Sequence, residues 1–493
     1  MADPTQTSGT TSAAPTGNFL DQMIQTGKLA RDPSQIPYAR QMVEEFINQI
    51  QEQGQVTTTD TVAFINQRIQ AIDTLLSNQI NLVLHDPQFS TLEGSWRGLN
   101  YLVMNTFTGT ELKLRVLHAT KDELLDDLQK AVEFDQSQLF KKIYEEEYGT
   151  FGGNPYSCLI GDYDFGPNPQ DMAFLSKMSG VAAAAFAPFI AAADPTMFNL
   201  DTFTNLGVPR DLASIFDSVE YAAWNAFRQT EDSRYVVLTL PRVLMRLPYG
   251  PNTVPVDGMN FVEDVSGTDN TKFCWGNTAY ALGQRITNAF FLYNWTAAIR
   301  GVEGGGLVEG LPAYTFKTTE GDIALKCPTE IAITDRREKE LSDLGFIALC
   351  YCKGTNKAAF FGAQTVQEPL VYNTAEANSN AQLSARITYI LAASRFAHYI
   401  KSIMRDKIGS FMTKDNVESY LQTWIANYVL LNDNAPEDLK AEYPLREARV
   451  DVFDVPGSPG NYKATVFLRP HFQLEELTAS LRLVATLPPP AGG

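Results

Sequence analysis

The chain is poor in the groups that most enzymes work with. Its 493 residues include four histidines, His85, His118, His398 and His471, scattered along the sequence. A histidine metal site or triad would have to be assembled from distant segments. The five cysteines are Cys158, Cys274, Cys327, Cys350 and Cys352. Their odd number and the lack of a Cys-x-x-Cys pair argue against a disulfide framework and a zinc pattern. Free, mostly buried thiols in a reducing compartment are expected. The sequence has no GxxxxGK[ST], HExxH, EF-hand loop or GxSxG, so the common phosphate, zinc, calcium and serine-hydrolase signatures are missing. No apolar run reaches the roughly 18 residues of a membrane span. The most apolar stretch, "GVAAAAFAPFIAAAD", is short and is broken by Pro188. The start, "MADPTQTSGTTSAAPTGN", has neither the basic opening nor the apolar stretch of a signal peptide. A disordered tail over residues 1–18 and a cytoplasmic protein are expected.

The composition is otherwise that of a globular protein, 44% hydrophobic and 19% charged, with a sizeable core and more than one domain expected. The formal net charge is −18 and the pI about 4.7, which disfavours nonspecific binding to nucleic acid or an anionic membrane. Residues 19–85 read as a helical arm. Met42, Phe46 and Ile50 follow helical spacing up to Gly54. The break at Asp86-Pro87 leads into "FSTLEGSWRGLNYLV". "ELKLRVLHA" alternates as a strand does. Thr120 and Glu123 form a capping box for a helix to about Ala131. "SQLFKKIYEEEYG" is a second helix, "YSCLIGDYDF" a buried strand, and "MAFLSKMSGVAAAAFAPFIAA" a helix. "EIAIT" and "LGFIALCYC" read as strands flanking a helix start. Strand, loop and helix in this order predict an α/β, mixed α+β architecture. Two long helices follow, and "REARVDVFDV" and "YKATVFLRPHF" flank the turn "PGSPGN". "ELTASLRLVATLPPP" alternates too, with Leu477, Leu481 and Leu483 on one face.

Candidate sites are few. Glu93, Trp96 and Arg97 in the opening motif have the chemistry of a binding cleft. Asp162 and Asp164 in "GDYDF" read as loop-capping carboxylates, and Cys350 and Cys352 as one face of a strand. A cytoplasmic α/β enzyme with an acidic site around Glu93 and Asp162 is the rival functional reading. "GVEGGGLVEGLP" leads to Pro312 rather than a helix start, so it reads as a tight backbone crossing. The helix around Arg395 places His398, Lys401 and Arg405 on one side and Phe396, Tyr399, Ile400 and Ile403 opposite. In an acidic chain such a stripe suggests a specific acidic surface.

Six segments in order, "FSTLEGSWRGLNYLV", "PRVLMRLPYG", "CWGNTAYALG", "IRGVEGGGLVEGLP", "PTEIAITDRREKELSDLGFIAL" and "SRFAHYIKSIMRDKIGSF", resemble the large subunit of the contractile sheath of bacterial type VI secretion systems, which is related to contractile phage tail sheaths. The resemblance runs from about Phe89 to the C-terminus. It departs at Phe186, where the family usually has His, and before Tyr389, where it often has Pro.

The resemblance implies a structural protein, not an enzyme, without cofactor or metal. Its partners would be a small sheath subunit in an obligate heterodimer, further copies in a helical sheath, inner-tube hexamers, a baseplate and an ATP-driven recycling unfoldase that grips mainly the small subunit. Neither nucleic acid nor membrane insertion is implied. On this basis residues 19–85 would be the arm packing with the small subunit. Residues 86–365 would form central α/β sheath domains. Residues 366–493 would form a mixed-sheet C-terminal domain with a tube-facing helix. Arg395, His398, Lys401 and Arg405 would meet the inner tube. Leu477, Leu481 and Leu483, with Glu93, Trp96 and Arg97, would serve packing or strand contacts between protomers.

Overall fold

The computed structural model describes residues 24, 26, 29–30, 32–52, 61–208, 211–410, 412–457 and 461–473. Residues 1–18 and the alternating segment with Leu477, Leu481 and Leu483 lie outside the described residues, as does the middle of the "PGSPGN" turn. The chain divides into two compact units, up to Leu76 and from Ser77 on. In the first, Asp32 accepts the Ser34 N–H at 2.9 Å and caps the turn leading into helix α1, Ile36–Glu52. Helix α2 is Thr61–Leu84. Ile65, Ile69, Ile72 and Leu76 are exposed along it at spacings of four, three and four, the spacing of a coiled-coil seam.

In the second unit helix α3, Pro87–Met104, starts where the sequence breaks. Asp86 accepts the Gln88 and Phe89 N–H groups, and Pro87 takes the first turn, where no donor is missed. Helix α4 is Lys121–Lys130, with the expected Thr120/Glu123 capping box. The segment "SQLFKKIYEEEYG" is helical and widens to a π-helical run over Lys141–Tyr148 before Gly149.

A six-stranded sheet follows. In chain order its strands are β1 Leu159–Phe165, β2 Phe189–Ala193, β3 Val236–Leu240, β4 Leu307–Val308, β5 Phe346–Tyr351 and β6 Ala358–Phe360. The spatial order is β1-β2-β3-β5-β6-β4. The first four are parallel and the last two join antiparallel. Period-two alternation divides the side chains between two cores. Phe189, Ala191, Val236, Leu238, Phe346 and Ala348 face one, while Ile190, Val237, Ile347 and Leu349 face the other. Helix α5, Pro169–Ala185, fills the first core, and helix α6, Ala279–Tyr293, the second. This is the covered, mostly parallel sheet of an α/β protein.

Four expectations from the sequence do not hold. The helix expected to run on through "FAPFIAA" stops at Ala185, because Phe186 turns left-handed at φ 52° and Pro188 follows; residues 189–193 become β2. "EIAIT" forms no strand. "ELKLRVLHA" is extended but joins no sheet. Cys350 and Cys352 do not form one strand face: β5 ends at Tyr351, leaving Cys350 buried in it and Cys352 exposed beyond it, and all five cysteines are free. The glycine-rich loop is a tight crossing, as expected: Gly301 N–H donates to Phe360 O at 2.6 Å, and Gly305 has φ +88°.

Helix α7, Asp335–Asp343, precedes β5. Helix α8, Ile387–Lys407, passes from the second core, through Ile387 and Leu391, to a third, through Phe396. The third core joins Trp295, stacked on Phe396 at 4.4 Å, to helix α9, Lys414–Ala426, and to a hairpin of β7, Leu445–Asp454, and β8, Tyr462–Pro470. That hairpin is a sheet of two strands. The outer edge of β7 is taken by α9, where Gln422 accepts the Val450 N–H at 2.9 Å and Glu418 the Val452 N–H at 3.0 Å; among the described residues β8 pairs only with β7. Among the described residues, no helix is long and apolar enough to cross a membrane.

Candidate functional site

The opening motif is a helix with two dissimilar sides. Inside, Gly94 and Gly98 let it approach closely. A Cβ on Gly94 would lie 2.2 Å from the Trp275 carbonyl oxygen, and one on Gly98 would lie 2.4 Å from the Tyr280 ring. Tyr101 is half-buried against the second core. Outside, Phe89, Leu92, Trp96 and Val103 are exposed at spacings of three, four and seven. Trp96 is 63% exposed, so it is not the internal packing anchor that an aromatic in this motif suggests.

Between these sides runs a chain of alternating charge. Arg97 Nε donates to Glu93 Oε1 at 2.7 Å, one helical turn away. Arg246, from "PRVLMRLPYG", donates to Glu93 at 2.7 and 3.2 Å and to Glu263 at 2.6 and 3.0 Å. The Arg246 guanidinium lies 4.6 Å from the Tyr249 ring centroid. Glu263, its side chain 1% exposed, also accepts the Tyr249 N–H at 2.8 Å and has His85 Nε2 at 3.4 Å. Arg97 reaches the Tyr249 hydroxyl at 3.0 Å. Burial works to raise the Glu93 carboxyl, but the Arg246 and Arg97 hydrogen bonds outweigh it and hold it below its ordinary range. Burial likewise works against the Arg246 cation, and its bonds to Glu263 and Glu93 outweigh that, raising its pKa. Two carboxylates and two guanidiniums thus satisfy one another with little water.

Such an arrangement holds a helix in register. A general acid at neutral pH needs a raised pKa and a free proton-transfer direction, and Glu93 has the opposite shift with its oxygens taken. Asp162 belongs to a separate network with Ser95, Tyr280 and Asn277, and burial raises its pKa. Asp164 pairs with Arg242 at 2.7 Å within β1, rather than capping a loop. Among the described residues, no three His, Cys, Asp or Glu gather as a metal site would require.

The basic stripe of α8 is engaged internally. His398 is 3% exposed, and its Nε2 lies 2.9 Å from Ala185 O. Burial, helped by Arg395 and Lys401 and opposed by the Ala185 bond, pushes its pKa down to about 4. Its ring lies edge-on to Tyr148 and Phe186. The expectation that His398 belongs to a free cationic face is therefore corrected: desolvation keeps it a neutral core residue. Lys401 donates to the Tyr144 hydroxyl at 3.2 Å, and its ammonium lies 3.5 Å from the Tyr148 ring centroid. Arg405 donates to Tyr148 O at 2.6 Å and Thr150 O at 2.7 Å, capping carbonyls at the end of the π-helical run. Arg395 lies over Tyr399 at 4.5 Å. Arg395, Lys401 and Arg405 each keep part of their surface open.

A helix fixed by ions on its inner side and apolar on its outer side is the construction of an assembly subunit. Residues 66–367 match the family described as EvpB/VC_A0108, tail sheath N-terminal domain, and residues 376–487 match the EvpB/VC_A0108 tail sheath gpW/gp25-like domain. The chain is 48% identical over 490 residues to the type VI secretion system sheath protein TssC1 of Pseudomonas aeruginosa, covering 97% of each. It therefore belongs to the family of large type VI secretion sheath subunits, structural proteins of a contractile injection system rather than enzymes. Solved structures match it more distantly. One is the baseplate of the anti-feeding prophage, at 10% identity and TM-score 0.35 over 64% of this chain and 66% of that one. Another is the contracted sheath complex of an extracellular contractile injection system, at 9% and 0.34 over 63% and 68%.

Proposed function

We propose that this sheath subunit is the larger half of an obligate heterodimer with a small sheath subunit. The heterodimers stack in the cytoplasm, on a baseplate anchored to the envelope, as a helical tube around an inner tube. Contraction of that tube propels the inner tube and its effectors into a target cell, and an ATP-driven unfoldase recycles the contracted sheath. The observation that carries the pairing is the outer face of α3: Phe89, Leu92, Trp96 and Val103 form an exposed apolar stripe on a helix whose inner face is locked. An apolar stripe of this kind marks a protein contact. The exposed seam of α2 supports the same role for the N-terminal helical arm. The outer edge of β8 suits strand addition between protomers, the role expected of Leu477, Leu481 and Leu483. Arg395, Lys401 and Arg405 would meet the inner tube with their open surface, in weak, screened contacts that release readily. His398, being buried, is not in that set.

Co-expression with the small sheath subunit, followed by electron microscopy, tests this reading. Long hollow tubes are expected from the native pair. Trp96→Asp should give a folded large subunit and no tubes, because it sets a charge in the centre of the apolar stripe. Tubes of normal abundance from Trp96→Asp would remove this face from the interface.

A further inference from the structure

Residues 112–119, "LKLRVLHA", alternate and are extended, yet no ladder pairs them. Gly109 N–H donates to Leu112 O at 2.9 Å, and the Thr120 N–H meets Glu123 Oε2 at 2.8 Å. Between these points the N–H groups from Lys113 to Ala119 have no hydrogen-bond partner among the described residues. The segment is nevertheless held in place by its side chains. Lys113 Nζ reaches Asn154 Oδ1 at 3.4 Å, and Arg115 pairs with Glu147 and reaches the Tyr156 hydroxyl at 3.3 Å. The Tyr163 hydroxyl, from edge strand β1, donates to Ala119 O at 2.7 Å. Val116 and Leu117 are 68% and 55% exposed, on opposite faces of the extended chain.

We infer that residues 112–119 are a receiving strand for an extended, acid-bearing strand from a different polypeptide. A straight segment with a row of unused N–H groups and apolar side chains on both faces has what strand addition requires: main-chain hydrogen bonds for affinity and side-chain contacts for choice. The charges select the occupant. The segment carries Lys113, Arg115 and His118 and no carboxylate. A second copy of the same segment would set cation against cation, and like charges across a strand pair destabilise it. The chain's own distal segment, residues 477–487, "LTASLRLVATL", carries Arg482 along its length, with its nearest carboxylates, Glu475 and Glu476, only ahead of its start. A strand from another chain, with Asp or Glu among alternating apolar residues, meets both requirements.

The inference rests on the sheath reading for the assembly in which it is tested. Hydrogen exchange with residue-level fragmentation is measured on the full chain alone and on tubes sedimented after co-expression with the small sheath subunit. In the chain alone the amides of residues 113–119 should exchange rapidly. In the tubes one alternate set should slow by about 100-fold or more, as ladder formation protects it. A second measurement uses Val116→Pro, which removes an N–H that the free chain does not use. It should leave the melting temperature of the free chain unchanged and abolish co-sedimentation with the small subunit. Tubes in which these amides stay fast would overturn the inference and leave the sheath reading standing. Protection already present in the isolated chain would also overturn it, by pointing to the chain itself or a second copy. Failure of the native pair to form tubes would overturn the sheath reading and this inference with it.

Discussion

Replacing Arg246 by Met should be among the most damaging single changes in the second unit, with a recognisable pH signature. The substitution keeps volume and removes the guanidinium that, among the described residues, touches both Glu93 and Glu263. Glu93 retains Arg97, whereas Glu263 retains the Tyr249 N–H and His85. Removing one partner of a buried ion network leaves uncompensated charge and costs about 3–5 kcal/mol. In the native chain the folded Glu93 pKa lies below the ordinary 4.5, so its contribution is present above 4.5 and lost as pH falls through the lower folded value. In Arg246→Met the burial of Glu93 is no longer outweighed, and its carboxyl should titrate above its unfolded value. The variant's penalty is then full at neutral pH and shrinks as pH falls through that raised value. The gap between native and variant chains should be widest at about pH 7 to 8 and narrow below about pH 5. Urea unfolding followed by tryptophan fluorescence across this range measures it. A loss under about 1 kcal/mol, or one equally large at both ends, would refute the reasoning.

Three further outcomes follow from the same geometry. Because the His398 pKa is depressed to about 4, its neutral form is favoured in the fold; stability should fall as pH drops from about 6.5 to 4, by about 3 kcal/mol in all, and His398→Phe should flatten that slope in unfolding measured against pH. Gly94→Ala sets a Cβ against the rigid Trp275 carbonyl and should cost about 1–3 kcal/mol, read by thermal unfolding, whereas Gly98→Ala meets a Tyr280 ring that can shift and should cost less. Lys401→Glu should lower the stability of the isolated chain by about 1–2 kcal/mol through loss of the Tyr148 and Tyr144 contacts; an unchanged melting temperature with failed tube assembly would instead place its main contact on the inner tube.

What the sequence shows plainly is local. The Thr120/Glu123 box, the Asp86-Pro87 helix start, the β7–β8 hairpin and the Glu93–Arg97 pair are each encoded within a few residues. What it conceals is long-range. Arg246 lies 153 residues from Glu93, and Lys401 lies 257 residues from Tyr144. A cationic stripe on a helical wheel looks the same whether it faces water or an aromatic helix end, so the burial of His398 could not be read from spacing. The mistaken helix through "FAPFIAA" shows another limit. Ala-rich composition favours a helix, but Pro188 and the left-handed Phe186 end it, and a sheet neighbour claims the residues beyond. Alternation in residues 112–119 predicts a strand correctly as a backbone shape and wrongly as a sheet member, because pairing needs a partner strand, and none of the described strands lies alongside.

That last case bears on how a sheath subunit is built. A contractile assembly must keep each subunit rigid while neighbours change contacts around it. The inner side of α3 serves rigidity: glycine contacts permit one close approach, and alternating charges permit one register, since sliding the helix by a turn would separate Glu93 from Arg246. Apolar packing alone would tolerate such a slip with less penalty. The surfaces left incomplete among the described residues, namely the Trp96 stripe, residues 112–119 and the outer edge of β8, are open to a neighbour. Their apolar area and unused backbone groups gain nothing within the monomer, so the free energy they release becomes available only on assembly. In a contractile assembly, interactions withheld from the monomer are the ones through which neighbours can be coupled.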